Sequence, residues 1–322
     1  MCTPNHHPDR PLPALILLDG GLGTTLTSHH NILFTAQTPL WSSHLLLASP
    51  STLLACQRSF ARAGADVLLS ASYQCSFEGF ARSAVAPQDV EGLMRSAVGI
   101  ARQALDDEGG RAGKVALSLG AYGACMVPSQ EYGGRYDAAH RSQAQLREWH
   151  LRRLRVFQRE EACWGSVDFV AFETLPVLQE VGAVREVMGD VSLPLDDGRA
   201  ESGPAVEKEF WISCVFPGEG NCLPDGSSVD DVVAAMLGSK EGARRPMGVG
   251  INCTRITKIE SLVLEFENSI QGMVGRGELG EEEWPALVMY PDGTKGEVYN
   301  TVSKEWEVVG NGDGEAWADS VS

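Results

Sequence analysis

Residues 167–176 read VDFVAFETLP, an apolar run that breaks at Glu173 and closes on Pro176. Apolar side chains on both alternating sets of positions mark a strand covered on both faces, as in a parallel sheet. Six more stretches share the pattern: 14–19 (ALILLD), 65–73 (ADVLLSASY), 114–122 (KVALSLGAY), 209–216 (EFWISCVF), 247–253 (MGVGINC) and 285–290 (PALVMY). The segments between them carry helical periodicity. They are 50–63 behind Ser49 as a cap candidate, 87–105 with Leu93, Val98 and Ala101 in phase, 137–164, 229–237 and 256–270. Repeated strand–helix alternation predicts an α/β protein with right-handed crossovers. Seven strands can be read, one fewer than a (β/α)8 barrel needs.

Composition narrows the classes of function. A chain of 322 residues is long enough for an α/β barrel as one domain, and it needs no disulfide scaffold to hold a core. With 26 Lys+Arg against 43 Asp+Glu and a net charge of −17, the surface is a poor match for nucleic acid. The apolar stretch at 14–18 runs directly into Asp19 and is too short for a signal peptide, and no segment approaches a membrane span. The expectation is a cytoplasmic protein with reduced thiols, no membrane partner and small-molecule substrates. Its eight cysteines stand singly, with no CxxC pair.

Active sites of parallel α/β barrels gather at the C-terminal ends of the strands, so the residues that end each run matter most. The first run ends in DGGLGTT (19–25), the second in SASYQC (70–75) and the third in GAYG (120–123). The later ends are ETLP (173–176), GINCT (250–254) and YPDG (290–293). Carboxylates, a thiol, amides and tyrosines therefore converge on one face.

Each feature also has a plainer account. GGLGTT lacks the glycine at position 26 that a dinucleotide loop requires, since Leu26 stands there; a tight turn with close backbone approach explains it better. Glu173 at the end of a buried run must be paired or solvated in a cleft. A bound ammonium or a structural ion pair satisfies that need equally well. Cys253 by itself reads as an inert core thiol. His44, His140 and His150 read as polar-face residues without ligand spacing, and the arginine-rich 146–159 as a solvated outer helix, with Glu160 and Glu161 supplying opposite charge. A Schiff-base barrel enzyme is a poor fit, because Lys114 alone lies near a strand, at its start.

Taken in order, these stretches resemble the homocysteine S-methyltransferase family. The resemblance runs through LLDGGLGTTL (17–26), LWSSHLL (40–46), SFARAGADVLLSASYQCSFEGF (59–80), LSLGAYGA (117–124), SQEYGGRY (129–136), FVAFETLPVLQE (169–180), GVGINCTRI (248–256) and VMYPDGTKGEVYNTVSKEW (288–306). It implies a (β/α)8 TIM-type barrel, here incomplete, with seven β/α units readable and the eighth strand missing. It also implies one homocysteine-binding domain over 1–322. The barrel would start at about residue 14, with surface insertions at 194–208 and 272–283 and a truncated tail at 307–322.

The resemblance further implies transfer of a methyl group from a sulfonium donor, S-methylmethionine or S-adenosylmethionine, to homocysteine, giving methionine. In the family a zinc ion held by three cysteine thiolates binds the homocysteine sulfur, keeping it deprotonated at neutral pH. Cys253 matches the first zinc ligand. Asp19 and Glu173 match the carboxylates of the homocysteine site, Glu173 being the better partner for the amino group, and Tyr73 and Asn252 line the same pocket. The other two ligands belong to a Gly-Gly-Cys-Cys stretch at the eighth strand, and no cysteine follows Cys253 in this sequence. One alternative is a surrogate zinc site from Cys75, Cys125 and Cys253. Another is a non-catalytic or impaired form that only binds or regulates, with the edges of strands one and seven left unpaired.

Overall fold

The structure, a computed structural model, describes residues 15–35, 38–108, 113–191, 206–293, 297–300 and 305–308, the last two segments by their backbone alone. Six parallel strands lie in chain order: β1 Val67–Leu69, β2 Lys114–Gly120, β3 Phe169–Leu175, β4 Glu209–Cys214, β5 Gly248–Arg255 and β6 Ala286–Asp292. Helices α1 Leu22–His30, α2 Leu45–Ala48, α3 Pro50–Ala63, α4 Phe77–Arg82 and α5 Pro87–Asp107 precede β2 in sequence, with β1 between α3 and α4. They are followed by α6 Gln143–Gln158, α7 Glu161–Ser166, α8 Leu178–Asp190, α9 Val229–Leu237 and α10 Ile259–Gly275. Sequential parallel strands joined by helices are the winding of a (β/α)8 barrel, and this sheet is an incomplete one.

The predicted first strand, 14–19, is reduced to a single parallel bridge between Leu18 and Val67. The backbone bonds from Asp19 N to the Val67 carbonyl (3.0 Å) and from Val67 N to the Leu17 carbonyl (3.1 Å) still fix its direction. Among the described residues it lies at the sheet edge, and Leu15, Ile16 and Leu17 are all exposed, so none of them on its outer side enforces longer pairing. At the other edge β6 pairs only with β5 among the described residues. The strands that follow, β7 Glu297–Asn300 and β8 Glu305–Val308, form an antiparallel hairpin in a separate sheet. Most of 194–208 and of the tail at 307–322 lie outside the described residues. The first residues of 272–283 belong to α10, which runs to Gly275.

Strand parity separates two faces, because successive side chains point to opposite sides. Leu68, Val115, Leu117, Leu119, Val170, Phe172, Phe210 and Ile212 face outward and are sealed under the helices, each without solvent exposure. The register puts Leu69, Ala116, Phe169 and their in-phase neighbours on the inner face. There Val67, Ala116, Phe169, Ala171 and Trp211 form a separate cluster with Leu18, Leu69, Met247 and Val288. Above that plug, toward the strand C-termini, the inner-face positions become polar: Ser118, Glu173, Ser213, Asn252 and Tyr290.

The helix layer departs from the polar reading of 137–164. The stretch divides into a short turn at Ala138–His140, α6 and α7. His150 and Arg153 on α6 are buried, at 0% and 1% exposure. Arg153 donates to the carbonyls of Tyr73 (2.9 Å), Cys75 (2.8 Å) and Gly120 (2.8 Å), tying α6 to the ends of β1 and β2. The remaining arginines pair with Glu78, Glu91 and Asp190, not with Glu160 or Glu161; Glu160 instead caps α7 through Cys163 N. Ser49 likewise is no backbone cap, since its hydroxyl bonds the Thr52 hydroxyl at 2.7 Å.

Candidate active site

Two β-bulges shape the pocket. Pairing shifts register between Phe172 and Leu175 on β3 and between Asn252 and Arg255 on β5. Within them Thr174 (φ 59°) and Cys253 (φ 48°) adopt left-handed backbone, which for a β-branched threonine is strained. Bulges re-aim side chains at barrel rims. Here they bring the ends of β3 and β5 together. Asn252 Oδ1 accepts from Thr174 N at 2.9 Å, and Asn252 Nδ2 donates to Thr174 Oγ1 at 2.7 Å. The Cys253 sulfur lies beside this clasp, 3.3 Å from Asn252 Nδ2 and 3.7 Å from Thr174 Oγ1.

Glu173 turns to the inner face and is 5% exposed. Ser118 Oγ donates to its Oε1, and the Tyr290 hydroxyl also bonds it. Burial pushes the Glu173 carboxyl from its ordinary 4.5 to about 7, against the lowering effect of those hydroxyls. Asp19 accepts from Leu69 N at 2.9 Å. Its pKa is raised well above the usual range, by burial first and by the nearby Glu173 charge as well. Behind the two carboxylates, Ser70 and Ser72 share a hydroxyl bond of 2.6 Å, and Ser72 Oγ donates to the Ser118 carbonyl at 2.8 Å.

On the other side of the thiol, the Tyr73 ring lies over Gly120, where any Cβ would come within 2.7 Å of it. Its hydroxyl donates to Glu131 Oε2 at 2.9 Å. Tyr132 is close enough to bond Cys253. Burial pushes the Cys253 thiol up to about 12, with Glu131 and Glu173 adding to the rise and Thr174 and Tyr132 opposing it. Among the described residues, no lysine or arginine contributes to the shifts of Asp19, Glu173 or Cys253. The pocket therefore favours cations and resists further anions.

The structure places Asp19, Tyr73, Glu173, Asn252 and Cys253 at this one rim. Sequence reasoning missed Glu131, Tyr132, Ser118 and Thr174 as site residues, and gave Tyr290 no role. Glu131 and Tyr132 lie in SQEYGGRY, a stretch quoted for the resemblance but beyond the reach of a strand-end argument. GGLGTT is the turn into α1, and a Cβ at Gly23 would meet Trp41 Nε1 at 2.6 Å, so close backbone approach explains that glycine.

The surrogate site of Cys75, Cys125 and Cys253 is not assembled. The Cys75 sulfur points to the Ala71 carbonyl (3.8 Å) and that of Cys125 to the Gln74 carbonyl (3.6 Å), both under the influence of Arg153. Among the described residues no three His, Cys, Asp or Glu side chains are grouped to hold a metal. A catalytic zinc site takes three protein ligands. Cys253 meets amide, hydroxyl and phenol groups instead, so the residues at this rim do not fit a tight zinc site.

Fold and site together define an α/β-barrel protein with a cluster of carboxylates, phenols and one thiol at its strand ends. Residues 16–320 match the homocysteine S-methyltransferase family, and the chain belongs to that family. It is 30% identical over 315 residues to homocysteine S-methyltransferase 2 of Arabidopsis thaliana, covering 92% of this chain and 81% of that protein. It is 32% identical over 303 residues to a selenocysteine Se-methyltransferase of Brassica oleracea var. italica, covering 90% and 75%. Among solved structures, the metallated form of the homocysteine methyltransferase MmuM from Escherichia coli superposes with a TM-score of 0.64 at 22% identity, covering 87% of this chain and 92% of that one. The oxidized form of MmuM gives 0.65 at 26% identity, covering 86% and 82%. Among the described residues no helix is long and apolar enough to cross a membrane.

Proposed function

We propose that this chain transfers a methyl group from a sulfonium donor, S-methylmethionine or S-adenosylmethionine, to the thiol of homocysteine, giving methionine. The observation that carries the reading is the buried Glu173 carboxylate, with Asp19 beside it and, among the described residues, no basic side chain acting on either. A substrate ammonium at Glu173 supplies the missing positive charge, and a sulfonium donor suits the same field. Relatives named as homocysteine and selenocysteine methyltransferases support the acceptor class.

In the reaction, an acceptor sulfur lone pair forms a bond to the methyl carbon while the carbon–sulfonium bond breaks. That electron pair returns to the donor sulfur, leaving a neutral thioether, and the thiol proton leaves to solvent. Glu173 orients the acceptor through its ammonium, the Asn252–Thr174 clasp fixes the rim, and Tyr73 with Glu131 walls the far side. Alignment in the pocket is the main catalytic contribution available from these residues. A free thiol is only about 3% thiolate at pH 7, and a site that resists further anions does nothing to raise that share.

The test is methionine formation from homocysteine with either donor, run beside calorimetric titration of homocysteine alone. Methionine above the uncatalysed rate supports the proposal. Binding without turnover supports a second reading, a protein of this family that only holds the amino acid. That reading is favoured by the single thiol at the rim. Absence of both binding and turnover overturns the functional assignment altogether.

A further inference from the structure

The segment 126–137 brings Glu131 and Tyr132 to the pocket rim, and one buried carboxylate holds both the turn that leads into the segment and a phenol near its close. That carboxylate is Glu180, on the first turn of α8, with no solvent exposure. Its Oε1 accepts from Tyr122 N at 2.6 Å and from His150 Nε2 at 2.8 Å, and its Oε2 accepts from the Tyr136 hydroxyl at 2.5 Å. Tyr122 precedes the segment and Tyr136 lies at its close. We propose that Glu180, held by His150 and Tyr136, is a positioning residue that sets the 126–137 segment over the pocket.

Three observations converge on this role. First, a fully buried carboxylate is costly, and apolar packing could fill the same volume at no loss of stability. What a carboxylate adds is two oriented oxygens that grip the main chain of the turn just before the segment and a phenol near its close. Second, the inner part of the segment is tied both to the turn before it and to itself. Gln130 N donates to the Gly123 carbonyl at 2.9 Å, and Gly134 N to the Gln130 carbonyl at 2.8 Å. It therefore moves as a unit with its ends. The Tyr122 hydroxyl bonds Asp137, and the Tyr122 and Tyr136 rings meet edge to face at 5.2 Å, closing the same loop a second time. Third, burial lowers the His150 pKa, so the ring donates to Glu180 as a neutral imidazole and adds no charge that would need another partner.

The segment ends its path at the rim, where Glu131 receives the Tyr73 hydroxyl and Tyr132 approaches Cys253. Loss of the grip at Glu180 thus loosens the wall above Cys253 while leaving Glu173 and Asp19 in place. The part of this that concerns turnover rests on the methyl-transfer reading; the part that concerns the segment does not.

The experiment compares the wild type with Tyr136→Phe, which removes one hydroxyl, and Glu180→Gln, which keeps the shape. Hydrogen exchange of peptides covering 126–137 should rise about tenfold in both, with peptides of β2 and β3 unchanged. Alkylation of Cys253 by iodoacetamide, read by peptide mass, should rise at least about fivefold, while Cys222 serves as the unchanged reference. If the enzyme turns over, kcat should fall with the homocysteine KM held within about twofold, since the ammonium site is untouched. Exchange over 126–137 that does not rise, or rises only in step with β2 and β3, overturns the proposal. If wild type and variants all fail to make methionine, the methyl-transfer reading fails while the exchange and alkylation results still decide this one.

Discussion

Asn252 and Thr174 exchange two hydrogen bonds across the barrel mouth, the amide of one strand end satisfying both the backbone N–H and the hydroxyl of the other. Both residues are buried, and each sits in a bulge beside or at a left-handed residue. The clasp explains how strained backbone persists at Thr174 and Cys253: each bulge supplies the polar partner that the other one lacks.

Asn252→Ala should therefore do more than remove contacts. It leaves the buried Thr174 N–H without its partner and takes one bond from the Thr174 hydroxyl, which keeps the Cys253 sulfur, at a cost of about 2 kcal/mol. Urea unfolding should show a lower midpoint with an unchanged slope. Thr174→Ser keeps both bonds and removes the β-branch at φ 59°, and should stay within about 1 kcal/mol of wild type. Equal losses in the two variants would show that the side chains pack without clasping.

Glu173 makes stability depend on pH in the direction opposite to a salt-bridged acid. Its pKa rises from 4.5 to about 7 on folding, so between those values the folded chain holds the proton more tightly than the unfolded chain does. This contribution to unfolding free energy accordingly declines as pH rises through that window and is level above it. A rise of that size corresponds to about 3 kcal/mol. Glu173→Gln should be more stable than wild type at pH 8 and similar to it near pH 4.5, while losing homocysteine binding. If Glu173→Gln proves no more stable than wild type at pH 8, the carboxylate is neutralised by a partner already present.

The legibility of the sequence followed what each residue's neighbours along the chain could report. Strand ends were readable as the place to look, because a parallel sheet displays its sites there, but by themselves they left Glu173 open between a bound ammonium and an ion pair and Cys253 as an inert thiol; the family resemblance drew Asp19, Glu173, Asn252 and Cys253 together. The inner face was less legible. Ser118 and Ser213 sit inside otherwise apolar runs, and only the register reveals that they point where Glu173 points. His150 and Arg153 were hidden for a different reason. On α6 they occupy polar-looking positions, and their burial comes from Glu180 and the carbonyls of Tyr73, Cys75 and Gly120, partners far away in sequence. Glu131 and Tyr132 belong to a connecting segment, which carries no periodicity to read. The run at 14–19 had the composition of a full strand, but an edge position gave it only one bridge.

Arg153 holds three carbonyls through a single fork, including that of Tyr73 at the site. A lysine in its place carries the same charge but cannot reach three diverging acceptors with one ammonium. Arg153→Lys should cost at least about 2 kcal/mol in urea unfolding, since buried carbonyls lose charge-assisted partners. It should also weaken homocysteine binding through the displaced Tyr73. Stability equal to wild type would place the importance of this residue in its stacking on Trp149 rather than in its hydrogen bonds.

The rate of methyl transfer should carry the signature of an acceptor thiol that ionises unaided. Two groups must lose protons before reaction: Glu173, at about 7, to hold the ammonium, and the homocysteine thiol, near its ordinary value of about 8.5. With both protonated, kcat/KM should rise about a hundredfold per pH unit below pH 7. Once Glu173 has ionised, the dependence should fall to about tenfold per unit up to pH 8.5. A zinc-held thiolate would be deprotonated across that whole range and leave only the Glu173 step. A strong chelator should leave the profile unchanged, and Cys253→Ser should retain activity within about fivefold, because among the described residues the sulfur lies against the Asn252–Thr174 clasp with no second thiolate grouped beside it. A profile already level above pH 7, lost on chelation and abolished by Cys253→Ser, would establish zinc chemistry and require thiolates beyond those found at this rim.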